Sequence, residues 1–324
     1  MAKILPVASG KGGVGKSLFV SNLSVILGEM GQRVVAVDLD LGGSNLHSIF
    51  GIKNNLKGLG YFINTKNATF DEIIHTTEYK NLRFIPGDSL YVGTANLPYF
   101  RKKKILQEIS RIDADWIILD LGSGTAINTI DFYLCSNCGI LVTTPDLTAI
   151  LNLYSFIKNA VYRYMTLKFP KKTETGKKLS EAVTMKLEKD DLRLFDLFRL
   201  IQKEIPEEAE NISKHLKNFY PKLIINMSSS EHDIALGENL RSLINKNIGL
   251  DIEYLGLLPY EQAAKQSVFS RQPLYHFGRN TKWIDNCRKI AERILAFNDY
   301  PISLFDNDTD SLDIVYSDLM ESYK

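Results

Sequence analysis

A stretch near the start of the chain has the residue types and spacing of a phosphate-binding loop. Residues 10–17 read Gly-Lys-Gly-Gly-Val-Gly-Lys-Ser, which fits G-x-x-x-x-G-K-[ST]. Glycines let consecutive backbone N–H groups turn towards phosphate oxygens, along a path that side chains would block. Lys16 would supply a point charge for the β- and γ-phosphates, and Ser17 a hydroxyl for Mg²⁺. The predicted binding residues are Gly12, Gly13, Val14, Gly15, Lys16, Ser17 and Leu18.

The residues on either side of this loop predict the elements that must position it. Residues 3–9 form a short apolar run typical of a strand. Residues 16–30 carry apolar side chains at helical spacing, namely Leu18, Phe19, Leu23, Ile26 and Leu27. A strand, a glycine-rich turn and a helix N-terminus together form the arrangement that holds an anion.

Acidic residues follow two further predicted strands. Asp38 ends the run at 34–38, where a carboxylate can hold a metal-bound water, and Asp40 points the same way if the chain is extended. Asp120 ends the run at 116–120 and fits the Walker B role, reaching Mg²⁺ through water. The alternatives are a turn or helix-capping carboxylate for Asp40 and a plain strand-end aspartate for Asp120.

Alternation of β-branched runs with helical patterns predicts an α/β fold. Buried-type strands are expected at 34–38, 116–120 and 140–144, with later strands at 223–226 and 254–258. Helical crossovers between such strands give a mostly parallel sheet flanked by helices on both faces, as in P-loop NTPases. Ligands in these sheets bind at the carboxyl ends of strands, where the acidic and glycine residues fall.

Composition narrows the class of protein without naming a partner. The chain has 324 residues, 44% hydrophobic and 24% charged, with a formal net charge of +1. These values describe an ordinary soluble globule and imply no bulk polyelectrolyte partner. The three cysteines make no disulfide framework, and no run approaches the length of a membrane span. We therefore expect a cytoplasmic protein whose membrane contacts, if any, are peripheral.

Lys11 adds a second lysine to the loop, and the resulting K-G-G-V-G-K-S resembles the deviant Walker A loop of the MinD/ParA ATPases. The segments 38–46 and 120–124 look like the switch I and switch II segments of that family, and most like those of the FlhG/FleN flagellar-number regulators. The resemblance implies slow ATP hydrolysis with Mg²⁺ and an ATP-dependent homodimer. Lys11 would reach the partner subunit's phosphates, and Asp40 would orient the attacking water. It also implies a protein effector and spatial regulation of flagellar number or position.

The resemblance assigns three more residues near the nucleotide. Asn226, at a predicted strand end, would pair with the adenine edge, since its amide offers both a donor and an acceptor. Pro259 matches the family's later loop beside the base. Asp146, where the family has glutamate, is left between a contact near the ribose and a helix-capping role.

Two regions depart from the family pattern. We predict an ATPase domain at 1–298 with a helical insertion at about 163–218, followed by an acidic tail at 299–324. The insertion carries the apolar stripe Leu194, Phe198, Ile201 and Ile205, which fits an added helical pair, a docking surface for a partner or a face for anionic lipid. The acidic tail would be repelled by anionic lipid, so the membrane helix of MinD is not carried over.

Other functions remain open at this stage. A ParA-like DNA-segregation ATPase is one, although the near-neutral charge counts against nucleic-acid binding. An iron–sulfur carrier is another, because Cys135 and Cys138 form a C-x-x-C; buried structural thiols are the simpler interpretation. A third is an ATP-dependent scaffold that does not hydrolyse. The basic run at 101–104 fits either a solvated helix face or a phosphate patch.

Overall fold

The computed structural model describes residues 2–53, 55–87, 97–169, 172–174, 176–178, 180–181, 202–203 and 206–296. Its strands are β1 (Lys3–Ser9), β2 (Val34–Leu39), β3 (His75–Thr76), β4 (Leu82–Ile85), β5 (Trp116–Ser123), β6 (Ile140–Thr143), β7 (Lys222–Ser228) and β8 (Glu253–Pro259). They form one sheet in the order β3-β4-β2-β5-β1-β6-β7-β8.

Helices connect most of these strands. They are α1 (Lys16–Glu29), α2 (Leu46–Ile49), α3 (Leu59–Asn64), α4 (Tyr99–Ser110), α5 (Ile127–Tyr133), α6 (Leu147–Lys168), α7 (Pro206–Lys217), α8 (His232–Ile248), α9 (Gln262–Phe269), α10 (Leu274–Phe277) and α11 (Lys282–Leu295). A short 3₁₀ turn spans Asp71–Ile73.

The sheet is parallel except at one edge. All pairs run parallel apart from β3 with β4. Every residue of β2 and of β8 is buried, which explains their uninterrupted apolar runs: both faces of the sheet are covered. The central strands β2, β5 and β1 run parallel, so their carboxyl ends lie side by side. The phosphate-loop motif and the acidic residues lie at these carboxyl ends.

Each face of the sheet has its own apolar core. One core takes side chains from α4 to α8, including Ile109, Phe156 and Ile244. The other takes α1, α10 and α11, including Phe19, Leu274 and Trp283. The predicted α/β class with helices on both faces is therefore confirmed.

The predicted strands are all present, but two observed strands were missed. β3 and β4 are short, and their residues show no clear alternation of apolar and polar side chains. Neither the two-residue period of a strand nor the period of a helix can therefore be recognised in their sequences. The predicted insertion begins inside α6, which continues to Lys168, and α7 occupies its end. The four residues of the predicted apolar stripe (Leu194, Phe198, Ile201 and Ile205) and the tail at 299–324 lie outside the described residues, and the division of the chain into these regions stays a prediction. Within the described part of the chain, no helix combines the length and apolarity needed to cross a membrane.

Candidate nucleotide-binding site

The loop at 10–17 folds into a cradle that only glycine permits. Gly13 and Gly15 have φ of 84° and 83°, in the left-handed region. A Cβ on Gly15 would lie 2.2 Å from Asn226 Nδ2, and one on Gly10 would lie 2.3 Å from the backbone of Asn152 in α6. The loop is thus held between α6 and the end of β7, with no room for side chains at these two positions.

The start of α1 faces this cradle. Gly15 occupies the N-cap position, so no side chain accepts a hydrogen bond from the first-turn N–H groups. Lys16 and Ser17 are the first residues of the helix, and Ser17 is half-buried. A helix N-terminus of this kind favours an anion through its unpaired N–H groups and its dipole.

The Lys16 side chain reaches across the site to a carboxylate within β5. Its Nζ lies 2.5 Å from Asp120 Oδ1, and the two side chains are 7% and 1% exposed. The predicted phosphate-binding cation and the predicted metal-supporting acid are therefore in direct contact, although 104 residues separate them in the sequence.

Asp38 is buried and holds the segment that follows it. Its Oδ2 accepts hydrogen bonds from Ser44 Oγ at 2.7 Å and from the Leu46 N–H at 3.1 Å. Its Oδ1 accepts from the Asp40 N–H at 3.1 Å. Burial, followed by the neighbouring Asp120 carboxylate, raises the pKa of Asp38 to about 7, against the lowering effect of these hydrogen bonds. Since Leu46 is the first residue of α2, the Asp38 side chain links the end of β2 to that helix.

Asp40 joins the two predicted switch segments. A Cβ placed on Gly43, or on Gly122 near the end of β5, would lie 3.5 Å from Asp40 Oδ1. Asp40 is half-buried and its backbone carbonyl accepts from the Gly43 N–H. Its carboxylate thus lies between segments 38–46 and 120–124, and its predicted role of orienting water stays a prediction.

Lys11 is exposed, and its side chain makes a hydrogen bond within its own chain. Its Nζ donates to Thr148 Oγ1 at 2.9 Å, in the first turn of α6. The neighbouring Asp146 precedes this helix, but its carboxylate accepts from Thr144 Oγ1 at 2.7 Å rather than capping the helix. Neither contact tests the roles predicted for Lys11 and Asp146 at a nucleotide or a dimer interface.

Asn226 is 1% exposed, and its side chain contacts the phosphate-binding loop. Its Nδ2 donates to the Val14 carbonyl at 2.8 Å, and its Oδ1 accepts from Trp283 Nε1 at 3.0 Å. Both ends of the amide are engaged within the chain, so the geometry points to positioning the loop; pairing with adenine remains a prediction. Pro259, also predicted at the base, is buried at the end of β8, and the next N–H, that of Tyr260, donates to the Ser228 carbonyl.

Two residues of the site were missed from the sequence. Ser44 and Trp283 are 7% and 1% exposed, and they complete the hydrogen bonds of Asp38 and Asn226. Trp283 is 57 residues from Asn226, and no motif connects them. A serine in a glycine-rich stretch likewise carries no distinguishing signal.

The other candidate groups lie elsewhere. In the basic run at 101–104, Lys103 and Lys104 are exposed, but Lys102 is 5% exposed and pairs with Asp131, which also binds Arg163. The choice between a solvated helix face and a phosphate patch stays open for the rest of the run. Cys138 is buried, and burial raises the pKa of the Cys135 thiol to about 12. Among the described residues, no three His, Cys, Asp or Glu side chains come together as a metal-binding group.

The donor set fits a magnesium nucleotide. The glycine cradle and the uncapped N-terminus of α1 suit phosphate oxygens, with Lys16 as the cation. Ser17, Asp38 and Asp120 offer the hydroxyl and carboxylate oxygens that Mg²⁺ prefers, and Mg²⁺ usually completes its shell with phosphate and water. A site with few protein carboxylates is therefore what this cofactor requires.

Comparison with known proteins agrees with this geometry. The CobQ/CobB/MinD/ParA nucleotide binding domain matches residues 5–274. The flagellum site-determining protein YlxH of Helicobacter pylori is 37% identical over 161 residues, 48% of this chain and 53% of that protein. The septum site-determining protein MinD of the same organism is 32% identical over 151 residues, 46% of this chain and 56% of that protein. The chain thus spans about half the length of the curated relatives it matches.

Solved structures share the fold. MinD of Pyrococcus horikoshii complexed with Mg-ADP superposes with a TM-score of 0.60 at 21% identity, covering 92% of this chain and 97% of that one. The MinC:MinD cell division protein complex of Aquifex aeolicus gives a TM-score of 0.60 at 15% identity, covering 93% of this chain and 98% of that one. With the domain match covering most of the sequence, this chain belongs to the MinD/ParA nucleotide-binding family.

Proposed function

We propose that the chain binds ATP with Mg²⁺, hydrolyses it slowly, and dimerises while ATP is bound. The proposal rests on the glycine cradle at the uncapped start of α1, where Lys16 is the first helical residue and contacts Asp120. Mg-ADP in the Pyrococcus horikoshii relative supports the choice of an adenine nucleotide. Lys16 would move from Asp120 to the β- and γ-phosphates, and Asp120 would then support the metal with Ser17 and Asp38.

Hydrolysis would depend on position more than on a strong base. Phosphoryl transfer requires an oriented water and cations that offset the charge on the phosphates. Asp40 lies between the two switch segments, next to Gly122, where it would accept a hydrogen bond from that water. Because Asp40 and Asp38 belong to one hydrogen-bonded segment, a change at the γ-phosphate would reach α2.

The rim of the site supports a second copy as the dimer partner. Ile127 at the start of α5 and Leu147 and Leu151 on α6 are 57%, 70% and 58% exposed. Leu147 and Leu151 lie on the same helix as Thr148, to which Lys11 bonds. Apolar side chains exposed beside a charged ligand site suit a face-to-face contact that buries them. A lysine held only by one hydroxyl could turn towards a partner's phosphates at little cost.

The cellular role we propose is spatial regulation, most consistent with flagellar number or placement. It rests on the similarity to YlxH, a flagellum site-determining protein, and on the predicted FlhG-like switch segments. The ATP-bound dimer would present a surface to a protein effector, as the MinC:MinD complex illustrates for a protein of the same fold. Hydrolysis would end that state, in the cytoplasm or at the inner face of the cell membrane.

Light scattering after size exclusion, with and without Mg-ATP, tests the dimer. Wild type should shift from monomer to dimer with ATP, and Asp40→Ala should hold the dimer longer because hydrolysis is lost. Lys11→Ala should bind ATP yet stay monomeric, whereas the control Lys217→Ala, an exposed lysine of α7, should behave as wild type. ATP-dependent dimers of Lys11→Ala would contradict the cross-subunit role, and absence of ATP binding by wild type would contradict the whole proposal.

A further inference from the structure

A serine at the end of β5 places its hydroxyl beside the phosphate loop. A Cβ built on Gly12 would lie 3.5 Å from Ser123 Oγ. Ser123 is exposed, and within the described part of the chain its hydroxyl makes no hydrogen bond. The hydroxyl of Ser9, before the loop, is by contrast engaged, since it donates to the Lys11 carbonyl at 3.0 Å. The fold therefore leaves the Ser123 hydroxyl as a donor for a ligand at the rim of the cradle.

An irregularity in β5 explains how this hydroxyl comes to face the loop. β1 advances from Val7 to Ser9 where β5 advances from Asp120 to Ser123, so β5 holds one extra residue at this point. Residues three apart on a regular strand point to opposite faces, whereas an extra residue bends the strand and redirects its side chains. Asp120, which contacts Lys16, and Ser123 can therefore both reach the phosphate site.

Hydrogen bonds of Ser9 fix the position of the serine relative to the loop. The Gly124 N–H donates to the Ser9 carbonyl at 3.0 Å, and Ser9 is 1% exposed. Because Ser9 also donates to the Lys11 carbonyl, one buried residue joins the start of the loop to the end of β5. The sheet thus sets the distance between Ser123 and the cradle, and the short serine side chain has one rotatable bond with which to change it.

We propose that the Ser123 hydroxyl binds the γ-phosphate of the nucleotide and so favours a triphosphate over a diphosphate. This inference rests on the proposed ATP-binding function. The γ-phosphate would lie beyond the phosphates held in the cradle, between Lys16 and the magnesium side of the site at Asp120. Ser123 follows Asp120 on the same strand and borders the loop at Gly12, so its O–H would donate to a γ-phosphate oxygen. Hydrogen bonds to charged oxygens are stronger than those between neutral groups.

Titration calorimetry of the full chain with Mg-ADP and with Mg-AMPPNP, an ATP analogue that resists hydrolysis, tests the contact. Ser123→Ala should weaken AMPPNP binding about tenfold and leave ADP binding within about twofold of wild type. Ser123→Thr, which keeps the hydroxyl, should retain most of the affinity for AMPPNP. The matched control Ser110→Ala, which changes an exposed serine of α4, should alter neither affinity.

Two further measurements separate the contact from folding and from dimer formation. Without nucleotide, the melting temperature of each variant should equal that of wild type, because the altered side chains are exposed. The titrations are repeated in the Lys11→Ala background, which should bind nucleotide as a monomer. The selective loss of AMPPNP affinity should persist there, since Ser123 acts on the nucleotide of its own chain.

Three results would overturn the proposal. Equal weakening of both nucleotides by Ser123→Ala would mean that the residue supports the loop, and unchanged binding of both would mean that its hydroxyl does not contact the nucleotide. Ser123→Thr as weak as Ser123→Ala towards AMPPNP, with ADP binding unchanged, would mean that the hydroxyl is not the group responsible. Failure of wild type to bind either nucleotide would instead contradict the proposed function itself, and this contact with it.

Discussion

Replacing Asn226 with alanine should weaken nucleotide binding by displacing the phosphate loop, whatever base the nucleotide carries. Asn226 is 1% exposed and joins the loop carbonyl of Val14 to the indole N–H of Trp283. Its Nδ2 also lies where a Cβ on Gly15 would be, so the amide fills the space behind the loop. Alanine leaves that space empty and both partners without a hydrogen bond.

The size of the effect follows from the two lost hydrogen bonds. Each buried group left unsatisfied costs about 1–3 kcal/mol, so the loss of both hydrogen bonds in Asn226→Ala should lower the free energy of unfolding by about 2–6 kcal/mol. The Val14 carbonyl lies in the cradle itself, so part of this cost should appear as a misplaced loop. A loss of about 1.4 kcal/mol in phosphate contacts corresponds to tenfold weaker binding.

Titration calorimetry with Mg-ATP, Mg-GTP and tripolyphosphate distinguishes positioning from base recognition. If Asn226 positions the loop, Asn226→Ala should lower the affinity for all three ligands by the same factor. Trp283→Phe removes the indole donor and keeps the Val14 contact, so it should reduce stability with a smaller loss of binding. Asn247→Ala, which removes an exposed amide of α8, is the matched control and should change neither.

One result would refute the reasoning. If Asn226→Ala weakens ATP alone and leaves tripolyphosphate unchanged, the amide contacts the base, as the family resemblance implies, and does not position the loop. Chemical denaturation of the same preparations shows whether the variant is folded under the conditions of the titration.

Two further predictions concern buried charge and pH. Lys222→Met should lower the free energy of unfolding by about 3–5 kcal/mol, because Lys222 and Glu253 are 1% and 2% exposed and pair at 3.1 Å, and the substitution removes the cation from beside a buried carboxylate. Combining Lys222→Met with Glu253→Gln should restore most of that stability in urea melts, and failure to do so would rule out the charge of Glu253 as the cause. Burial lowers the pKa of His47 and His276 in the fold, so the unfolded chain binds more protons as pH falls below the ordinary value of about 6.5. The contribution of these two histidines to stability should therefore be intact above that pH and decline below it, whereas Asp38, whose pKa is raised in the fold, contributes in the opposite direction. Relative to wild type, His276→Gln should therefore shift the change in melting temperature on going from pH 7 to pH 5 towards higher stability; a change equal to that of wild type would remove His276 as a contributor.

Much of the fold could be predicted because the local pattern and the tertiary structure agree. The runs at 34–38 and 116–120 are buried on both faces, and such strands are recognised by unbroken β-branched residues. The observed β3 and β4 have two and four residues and lie at the edge, where packing to neighbours decides their conformation.

The sequence by itself determined the phosphate loop, because backbone geometry restricts residues 10–17 to a glycine pattern that few other structures need. It also predicted that Asp38 and Asp120 lie near the carboxyl ends of parallel strands, and the two are paired in register there, although β5 continues past Asp120 to Ser123. Only the tertiary structure decided that Asn226 hydrogen-bonds to Val14 and Trp283, and that Ser44 donates a hydrogen bond to Asp38. Hydrogen bonds of that kind join residues far apart in the chain, and their partners depend on how the sheet and helices pack, which no local spacing records.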